Sequence, residues 1–265
     1  MPTVREIEAF LYRFAPKELA MEWDNVGLLL GDPEQEVRRI LVALDITETV
    51  AQEAMDGGCE LIVAHHPVMN CRWRPVQNVR SDTFQGRLFM KLLRGGVSCV
   101  CMHTNLDAAA GGVNDCLAET LGLSKIELLP GGDNICRVGE LPAPMPLREF
   151  ARKAAAALSC GGIRYADAGK PAFRIAVGGG ACAEYAEAAI SAGCDTFLTA
   201  DVKYHAFLDA AASGLNLIDA GHFPTENMVC GKLVTLLRDA FPELPVWKSA
   251  SHRDVIQYET GAAVN

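Results

Sequence analysis

Short apolar runs alternate along the chain with segments of helical spacing, and this alternation is the main structural signal in the sequence. The apolar runs predict buried strands at residues 40–45 and within CELIVAHHP, GVSCVCMHTN, FRIAVGGG, CDTFLTAD and LNLIDAGH. A helical segment follows each of them. Nearly continuous apolar strands covered by helices are typical of α/β folds with mostly parallel sheets. We therefore expect an α/β protein.

Local signals indicate where several helices begin and end. Five apolar residues at helical spacing predict a first helix over VREIEAFLYRF, after which WDNVGLLLGD reads as a turn and a short strand. Thr47 is a candidate N-cap for a helix that stops at the pair Gly57–Gly58. Further helices are predicted near 82–94 and over PLREFARKAAAALS. A long last helix is predicted over PTENMVCGKLVTLLRDAF, with Pro224 in its first turn.

The middle of the chain is rich in proline and glycine. The segment LLPGGDNICRVGELPAPMP holds four prolines and several glycines, and such a segment is typical of a loop or a domain junction. We therefore expect two α/β domains, residues 1–128 and 129–265, on either side of it.

Composition and charge narrow the functional classes. With 265 residues, 50% of them hydrophobic, the chain can bury a large core. Its net charge is -9 and no Lys/Arg block stands out, which argues against binding to nucleic acid. The ten cysteines are irregularly spaced without a C-x-x-C pair, which predicts reduced thiols in a cytoplasmic protein. An acidic, amphipathic N-terminus and the lack of long apolar runs argue against a signal peptide and a membrane role.

The candidate chemistry lies at the predicted strand ends, because parallel α/β sheets bind ligands at the carboxyl ends of their strands. Four of the six histidines lie there: His65 and His66 after ELIVA, His103 after VSCVCM and His222 after LNLIDAG. Two carboxylates accompany them, Asp107 four residues after His103 and Glu226 four residues after His222. This co-location predicts a metal site.

Several alternatives remain open from the residues alone. Neighbouring side chains on a strand point to opposite faces, so His65 and His66 share one ion where the strand ends at Pro67, bind different ions, or are one buried, hydrogen-bonded histidine and one exposed histidine without a metal. We expect different ions. Glu226 could be a ligand or an acid favoured by a helix N-terminus, and Asp107 a ligand or part of an Asx turn. His103, in the loop after its strand, could bind a metal or orient a ligand.

The mixed ligand set indicates the kind of metal. Imidazole with carboxylate suits Zn, Fe, Mn, Co or Ni better than Ca or Mg. Five candidate ligands exceed the need of one tetrahedral ion, and they suit two ions about 3.5–4 Å apart. We therefore expect two divalent transition-metal ions per chain, with the Glu226 carboxylate as the candidate bridge.

Five blocks in order along residues 23–226 resemble the signature of the Nif-three-like dinuclear metal proteins, known as GTP cyclohydrolase I type 2 homologues. They are WDNVGLLLGD, AHHP, HTNLDAAAGGVND, ADVKYH and GHFPTE. The chain resembles the compact members, which have no inserted middle domain. The resemblance implies two interlinked α/β domains with a two-metal site in the cleft between them, and a toroidal homohexamer. Carried over by position, the implied metal ligands are His65, His66, Asp107, His222 and Glu226.

The resemblance also implies an activity. His103 would be a further site histidine close to the metals, and Asp201 and His205 would face the same cleft, so these three are the candidate catalytic residues. The implied reaction is hydrolytic opening of the guanine imidazole ring of GTP by a metal-activated hydroxide, with release of formate. A phosphoesterase acting on a nucleotide-like small molecule, or a non-catalytic metal-binding scaffold, remain alternatives. Gly178–Gly180 could offer N–H groups to phosphates, although a tight turn also explains three glycines.

Overall fold

A computed structural model describes residues 1–70 and 75–259. The structure confirms an α/β fold with two mixed sheets. Its contacts divide the chain into two compact units. The first unit comprises residues 1–113 and 229–252, and the second comprises residues 114–228 together with the segment from residue 253 onward. Each unit contains one of the two sheets.

The strands are β1 (Gly27–Leu30), β2 (Ile40–Ala43), β3 (Leu61–Ala64), β4 (Ser98–Cys101), β5 (Ser124–Leu128), β6 (Arg137–Met145), β7 (Arg164–Ala166), β8 (Ala172–Val177), β9 (Thr196–Thr199), β10 (Asn216–Asp219) and β11 (Val246–Lys248). The helices are α1 (Val4–Phe14), α2 (Glu48–Asp56), α3 (Phe84–Arg94), α4 (Thr104–Ala108), α5 (Val113–Thr120), α6 (Leu147–Leu158), α7 (Ala186–Ser191), α8 (Tyr204–Ala212), α9 (His222–Glu226) and α10 (Met228–Ala240). Short 3-10 helices cover Lys17–Leu19 and Ala183–Tyr185.

The first unit is built on a five-stranded sheet with the order β1-β4-β3-β2-β11. Strands β4, β3, β2 and β11 are parallel, and β1 pairs with β4 in the antiparallel direction. Side chains of β2, β3 and β4 form a buried core with apolar residues of α2 and α3. Because β2, β3 and β4 are parallel neighbours, the residues that follow them lie at one edge of the sheet.

The second unit has a six-stranded sheet with the order β5-β6-β8-β9-β10-β7. Only its central strands β8, β9 and β10 are parallel, and β5, β6 and β7 run antiparallel to their neighbours. Apolar residues of α5 and α6 pack with this sheet in one buried core. The carboxyl ends of β8, β9 and β10 lead to Gly178, Asp201 and His222, which therefore share one edge of the sheet.

The predicted helix signals are confirmed in the first unit. The Thr3 side chain caps α1 and forms a capping box with Glu6. The hydroxyl of Thr47 accepts the N–H of Val50 at the start of α2, and Gly57 ends that helix.

The nine cysteines in the described part of the chain are free thiols, seven of them buried, whereas Cys71 lies outside the described residues.

The proline-rich middle segment, predicted as a domain junction, contains β6, the longest strand described. Pro142 and Pro144 lie where the β6–β8 register shifts, between Glu140 and Met145. A proline cannot donate a ladder hydrogen bond, so it is tolerated at such an interruption.

The contacts also divide the chain differently from the linear boundary after residue 128. The segment 229–252 belongs to the first unit, because β11 pairs in parallel with β2 at Val246↔Ile40. The predicted long last helix is two helices, α9 and α10, with Asn227 between them. The Thr225 hydroxyl donates back to the carbonyls of Gly221 and His222, and such bonds bend helices.

Two further observations concern local structure. Asp107 lies within the short helix α4, with His103 directly before it, rather than in an open loop as predicted. Among residues 1–70 and 75–259, the helices are all too short or too polar to span a lipid bilayer.

Candidate metal-binding residues

Three of the predicted histidines lie together at the carboxyl edge of the first sheet. His65 and His66 extend the pairing of β3 with β2, because their N–H groups donate to the carbonyls of Ala43 (3.3 Å) and Leu44 (2.9 Å). His103 follows β4, the neighbouring strand. All three are buried. The neighbouring positions of β3 and β4 therefore bring together imidazoles that are 37 residues apart in sequence.

Each of these imidazoles is oriented by an oxygen at Nδ1. The Nδ1 atom of His65 lies 2.8 Å from the carbonyl oxygen of Met102. That of His66 lies 2.8 Å from Oδ1 of Asp45, and that of His103 lies 2.9 Å from both Asp24 oxygens. A carbonyl only accepts hydrogen bonds, so Nδ1 of His65 carries the proton and Nε2 has the lone pair. The Asp45 and Asp24 carboxylates favour the same tautomer in His66 and His103, as is usual for metal-binding histidines.

The three rings are close enough to bind one ion together. One ring nitrogen from each of His65, His66 and His103 lies within 4.8 Å of the others. The ring centroids are 4.9 Å apart for His65 and His66, and 5.2 Å apart for His65 and His103. The Oδ1 atom of Asp107 lies 3.6 Å from Nε2 of His65. Neutral imidazoles with a carboxylate are a donor set that fits a divalent transition metal.

The two aspartates behind these histidines are strongly acidic. Burial raises the pKa of Asp24, but the hydrogen bond and charge of His103, with the bonds from Thr104, lower this pKa to about 2. Burial likewise opposes ionisation of Asp45, yet hydrogen bonds with His252 and His66 hold its pKa well below the usual range. Both carboxylates are therefore ionised at neutral pH and hold their imidazoles in a fixed orientation.

Sequence reasoning missed the roles of these aspartates and of His252. Asp45 follows β2, so its position at a strand end was a usable signal. Asp24 lies in the WDN turn of the first resemblance block, and the partners of both aspartates lie far away in sequence.

In the second unit, a histidine and two carboxylates lie together at α9. The Nε2 atom of His222 lies 3.1 Å from Oε2 of Glu226, one helical turn later, and its Nδ1 atom lies 2.8 Å from Oδ2 of Asp201. Burial lowers the pKa of His222, but the charges and hydrogen bonds of Glu226 and Asp201 raise it to about 11. These two carboxylates thus favour a positive charge here, which either a proton or a metal ion can supply.

The glycine turn after β8 touches this cluster. Its three N–H groups donate to the Leu198 carbonyl, to Oδ1 of Asn114 and to the Thr225 hydroxyl, so the protein itself satisfies them. Gly180 has φ +65, and a Cβ atom there would lie 2.3 Å from Oε1 of Glu226. The turn is therefore held by internal acceptors, and its last glycine makes room for Glu226.

The second unit places the two remaining candidate residues differently. Asp201, with φ +53, contacts His222 as described. His205 lies in the exposed first turn of α8, where its ring packs edge-on against Tyr204 at 5.5 Å. Its participation in a site stays a prediction.

Comparison with known proteins adds to this description. The sequence profile of the Duf34/NIF3 (NGG1p interacting factor 3) family matches residues 2–254. A Clostridium perfringens protein named GTP cyclohydrolase 1 type 2 homolog is 36% identical over 218 residues, 80% of this chain and 82% of that protein. A Streptomyces coelicolor protein of the same name is 37% identical over 237 residues, 85% and 82% of the two chains. The crystal structure of Staphylococcus aureus protein SA1388 superposes with a TM-score of 0.90 and 28% identity, covering 97% of this chain and 99% of that one.

Proposed function

Because the chain belongs to the Duf34/NIF3 (NGG1p interacting factor 3) family, we propose that it is a hydrolase that depends on two divalent transition-metal ions. The observation that supports this most strongly is the histidine cluster of the first unit. There, three buried imidazoles each have an oxygen partner at Nδ1, and a ring nitrogen of each lies within 4.8 Å of the others. Buried imidazoles oriented in this way are typical of metal ligands.

Each unit contributes a ligand set in this proposal. The first unit supplies His65, His66 and Asp107, with His103 as a further ligand, and the second supplies His222 and Glu226. The ions are Zn, Fe, Mn, Co or Ni, because these metals suit mixed imidazole and carboxylate ligands. Bound ions of this kind supply Lewis acidity and lower the pKa of water.

The remaining residues of the site hold the ligands in place. Asp45 and Asp24 fix the rings of His66 and His103, and Asp201 fixes the ring of His222. Asp201 is thus a positioning residue in this proposal rather than a group that touches the substrate. His205, exposed at the start of α8, is the candidate substrate contact.

For the substrate we propose GTP, with hydrolytic opening of the guanine imidazole ring and release of formate. The names of the C. perfringens and S. coelicolor relatives support this choice. The glycine turn does not supply a phosphate cradle, since its N–H groups already have acceptors. Phosphate contacts would therefore have to come from other residues.

The experiment is a metal and product analysis of the full chain purified without chelator. We expect about two transition-metal ions per chain, as in paired metal sites, and formate from GTP. Phosphate release without formate would favour a phosphoesterase. Two bound ions with no turnover of GTP, other nucleotides or phosphoesters would favour a metal-binding scaffold. Absence of bound metal after reconstitution would contradict the proposal as a whole.

Substitutions of the proposed ligands test which ion each residue binds. Glu226→Gln should reduce the occupancy of both ions if its carboxylate bridges them, and loss of one ion only would contradict bridging. His65→Ala and His66→Ala should remove different ions if the two imidazoles bind one ion each, as expected from their adjacent positions on a strand, and the same ion if they bind it together, as their 4.9 Å ring separation also allows. His205→Ala is the matched control for loss of a histidine, because its ring is exposed and packs on Tyr204, so it should keep the full metal content. Sedimentation analysis would test the homohexamer, which stays a prediction.

A further inference from the structure

The Asp45 carboxylate contacts two histidines, one through each oxygen. Its Oδ1 atom lies 2.8 Å from Nδ1 of His66, and its Oδ2 atom lies 3.2 Å from Nε2 of His252. The backbone N–H of Asp45 also lies 3.1 Å from Nε2 of His252, but this nitrogen cannot accept that N–H and donate to Oδ2 at the same time, and a proton on Nε2 gives the bond to Oδ2. His66 and His252 have side chains only 10% and 8% exposed. With the proton on Nε2 of His252, the carboxylate that orients a candidate metal ligand is itself held by a second buried imidazole.

The turn at residues 249–251 places His252 beside Asp45. The Glu53 carboxylate, on α2, accepts hydrogen bonds from the Ser249 hydroxyl (2.5 Å), the Ala250 N–H (2.9 Å), and the Ser251 N–H (3.0 Å) and hydroxyl (2.6 Å). The Ser249 hydroxyl in turn accepts the N–H of His252 at 3.1 Å. Four donors on one carboxylate fix the backbone directly before His252.

The same turn is tied to the sheet that carries the histidine cluster. The N–H of Ser249, which directly follows β11, donates to the carbonyl of Val42 in β2 at 2.7 Å. Asp45 lies two residues after β2. The C-terminal turn and the Asp45 carboxylate are therefore fixed to the same strand, which sets the distance between His252 and Asp45.

We propose that His252 is a positioning residue for the metal centre, acting on His66 through the shared Asp45 carboxylate. A carboxylate with one oxygen held can rotate less about its Cβ–Cγ bond, so its other oxygen keeps the His66 ring in the ligating orientation. The inference rests on the proposed metal-binding function. It assigns a role to the C-terminal turn, which lies 186 residues after His66 in the sequence.

Cobalt binding to the full chain tests this proposal. The affinity for Co²⁺ is measured by competition with a chelator, and the visible absorption of bound Co²⁺ reports the ligand geometry. Asp45→Asn, which alters the direct partner of His66, should weaken Co²⁺ binding about 10–100-fold. His252 contacts His66 only through Asp45. His252→Ala should therefore weaken Co²⁺ binding by less, about 3–10-fold, and should shift the Co²⁺ spectrum.

A matched pair of variants separates positioning from mere packing. The side-chain amide of His252→Gln reaches the place of Nε2, whereas the amide of His252→Asn reaches only the place of Nδ1. We expect His252→Gln to restore Co²⁺ affinity and spectrum nearly to those of the natural chain, and His252→Asn to resemble His252→Ala. Thermal unfolding of the metal-free variants checks that each one folds, and the Gln variant keeps the test valid if the Ala variant does not fold.

The outcomes distinguish this inference from the proposed function. If the natural chain binds no Co²⁺, the proposed function fails and the role of His252 fails with it. If the natural chain binds Co²⁺ and His252→Ala binds it equally well with the same spectrum, only the role of His252 is overturned. Equal Co²⁺ affinities for the Gln and Asn variants would also overturn it.

Discussion

Gly180→Ala tests how the second unit shapes the candidate metal-binding cluster at His222 and Glu226. Gly180 has φ +65, a left-handed conformation that costs an L-residue about 1–2 kcal/mol. The added Cβ atom would also lie 2.3 Å from Oε1 of Glu226, where ordinary contact begins at 3.4 Å. One of the two groups must therefore move, by about 1 Å to reach ordinary contact.

The backbone of Gly180 cannot easily be the group that moves. Its N–H donates to the Thr225 hydroxyl, and its carbonyl accepts the Ala200 N–H and the Thr199 hydroxyl. The Glu226 side chain should therefore swing away, and its 3.1 Å contact with His222 should open. We expect a loss of about 1–2 kcal/mol in unfolding free energy from the backbone strain. We expect metal affinity to fall by about tenfold or more, because displaced metal-site groups typically cost 10–100-fold.

Gly193→Ala is the matched control in the same unit. Gly193 has φ +74, and a Cβ atom there would meet nothing within 4 Å. Both variants should lose similar stability in urea denaturation of the metal-free protein, but only Gly180→Ala should lose metal affinity in a chelator competition. Equal metal affinities for the two variants would refute the idea that Gly180 makes room for the Glu226 ligand.

Three further predictions concern stability, each measured by urea denaturation. Burial raises the pKa of Glu53 and its hydrogen bonds from the 249–251 turn lower it overall, so Glu53→Gln should cost about 1 kcal/mol at pH 7. That difference from the natural chain should begin to shrink as the pH falls below about 4 and should be lost only below the lowered folded-state pKa of Glu53, so a difference that does not shrink in acid would contradict the reasoning. Asp115→Ala should cost about 3 kcal/mol or more, because it leaves the buried guanidinium of Arg137 without its 2.7 Å partner. Ser159→Gly should stabilise by about 0.5–1 kcal/mol, since Ser159 ends α6 at φ +54, and a loss of stability would count against this.

Most of the strands that the sequence predicted correctly are fully buried, although β1 and β8, which it also predicted, are only partly buried. Strands β2, β3, β4, β9 and β10 are buried along their whole length, so hydrophobicity alone marks them. The strands it missed carry weaker signals. β5 and β7 are largely exposed, β11 has three residues, and β6 is masked by two prolines. Their pairing depends on neighbours distant in sequence, which a local pattern does not contain.

The candidate site shows the same limit. The rule that ligands gather at the carboxyl ends of parallel strands correctly grouped His65, His66 and His103, because β3 and β4 are neighbours. The groups that orient these rings were not predicted. Asp24 meets His103 across 79 residues, and His252 meets Asp45 across 207. Such contacts follow from the order of the strands in the sheet, and a single sequence does not reveal that order.

The pairing of β11 with β2 has a consequence for how the protein is made. At typical rates of 5–20 residues per second, the 115 residues 114–228 that separate the two parts of the first unit take about 6–23 s to synthesise. During that interval β2 is an open sheet edge with the sequence ILVA, since its outer partner has not left the ribosome. Open apolar edges invite pairing with other chains. Nascent chains of this protein should therefore depend on chaperones most strongly before β11 emerges, and truncation before β11 should cause aggregation.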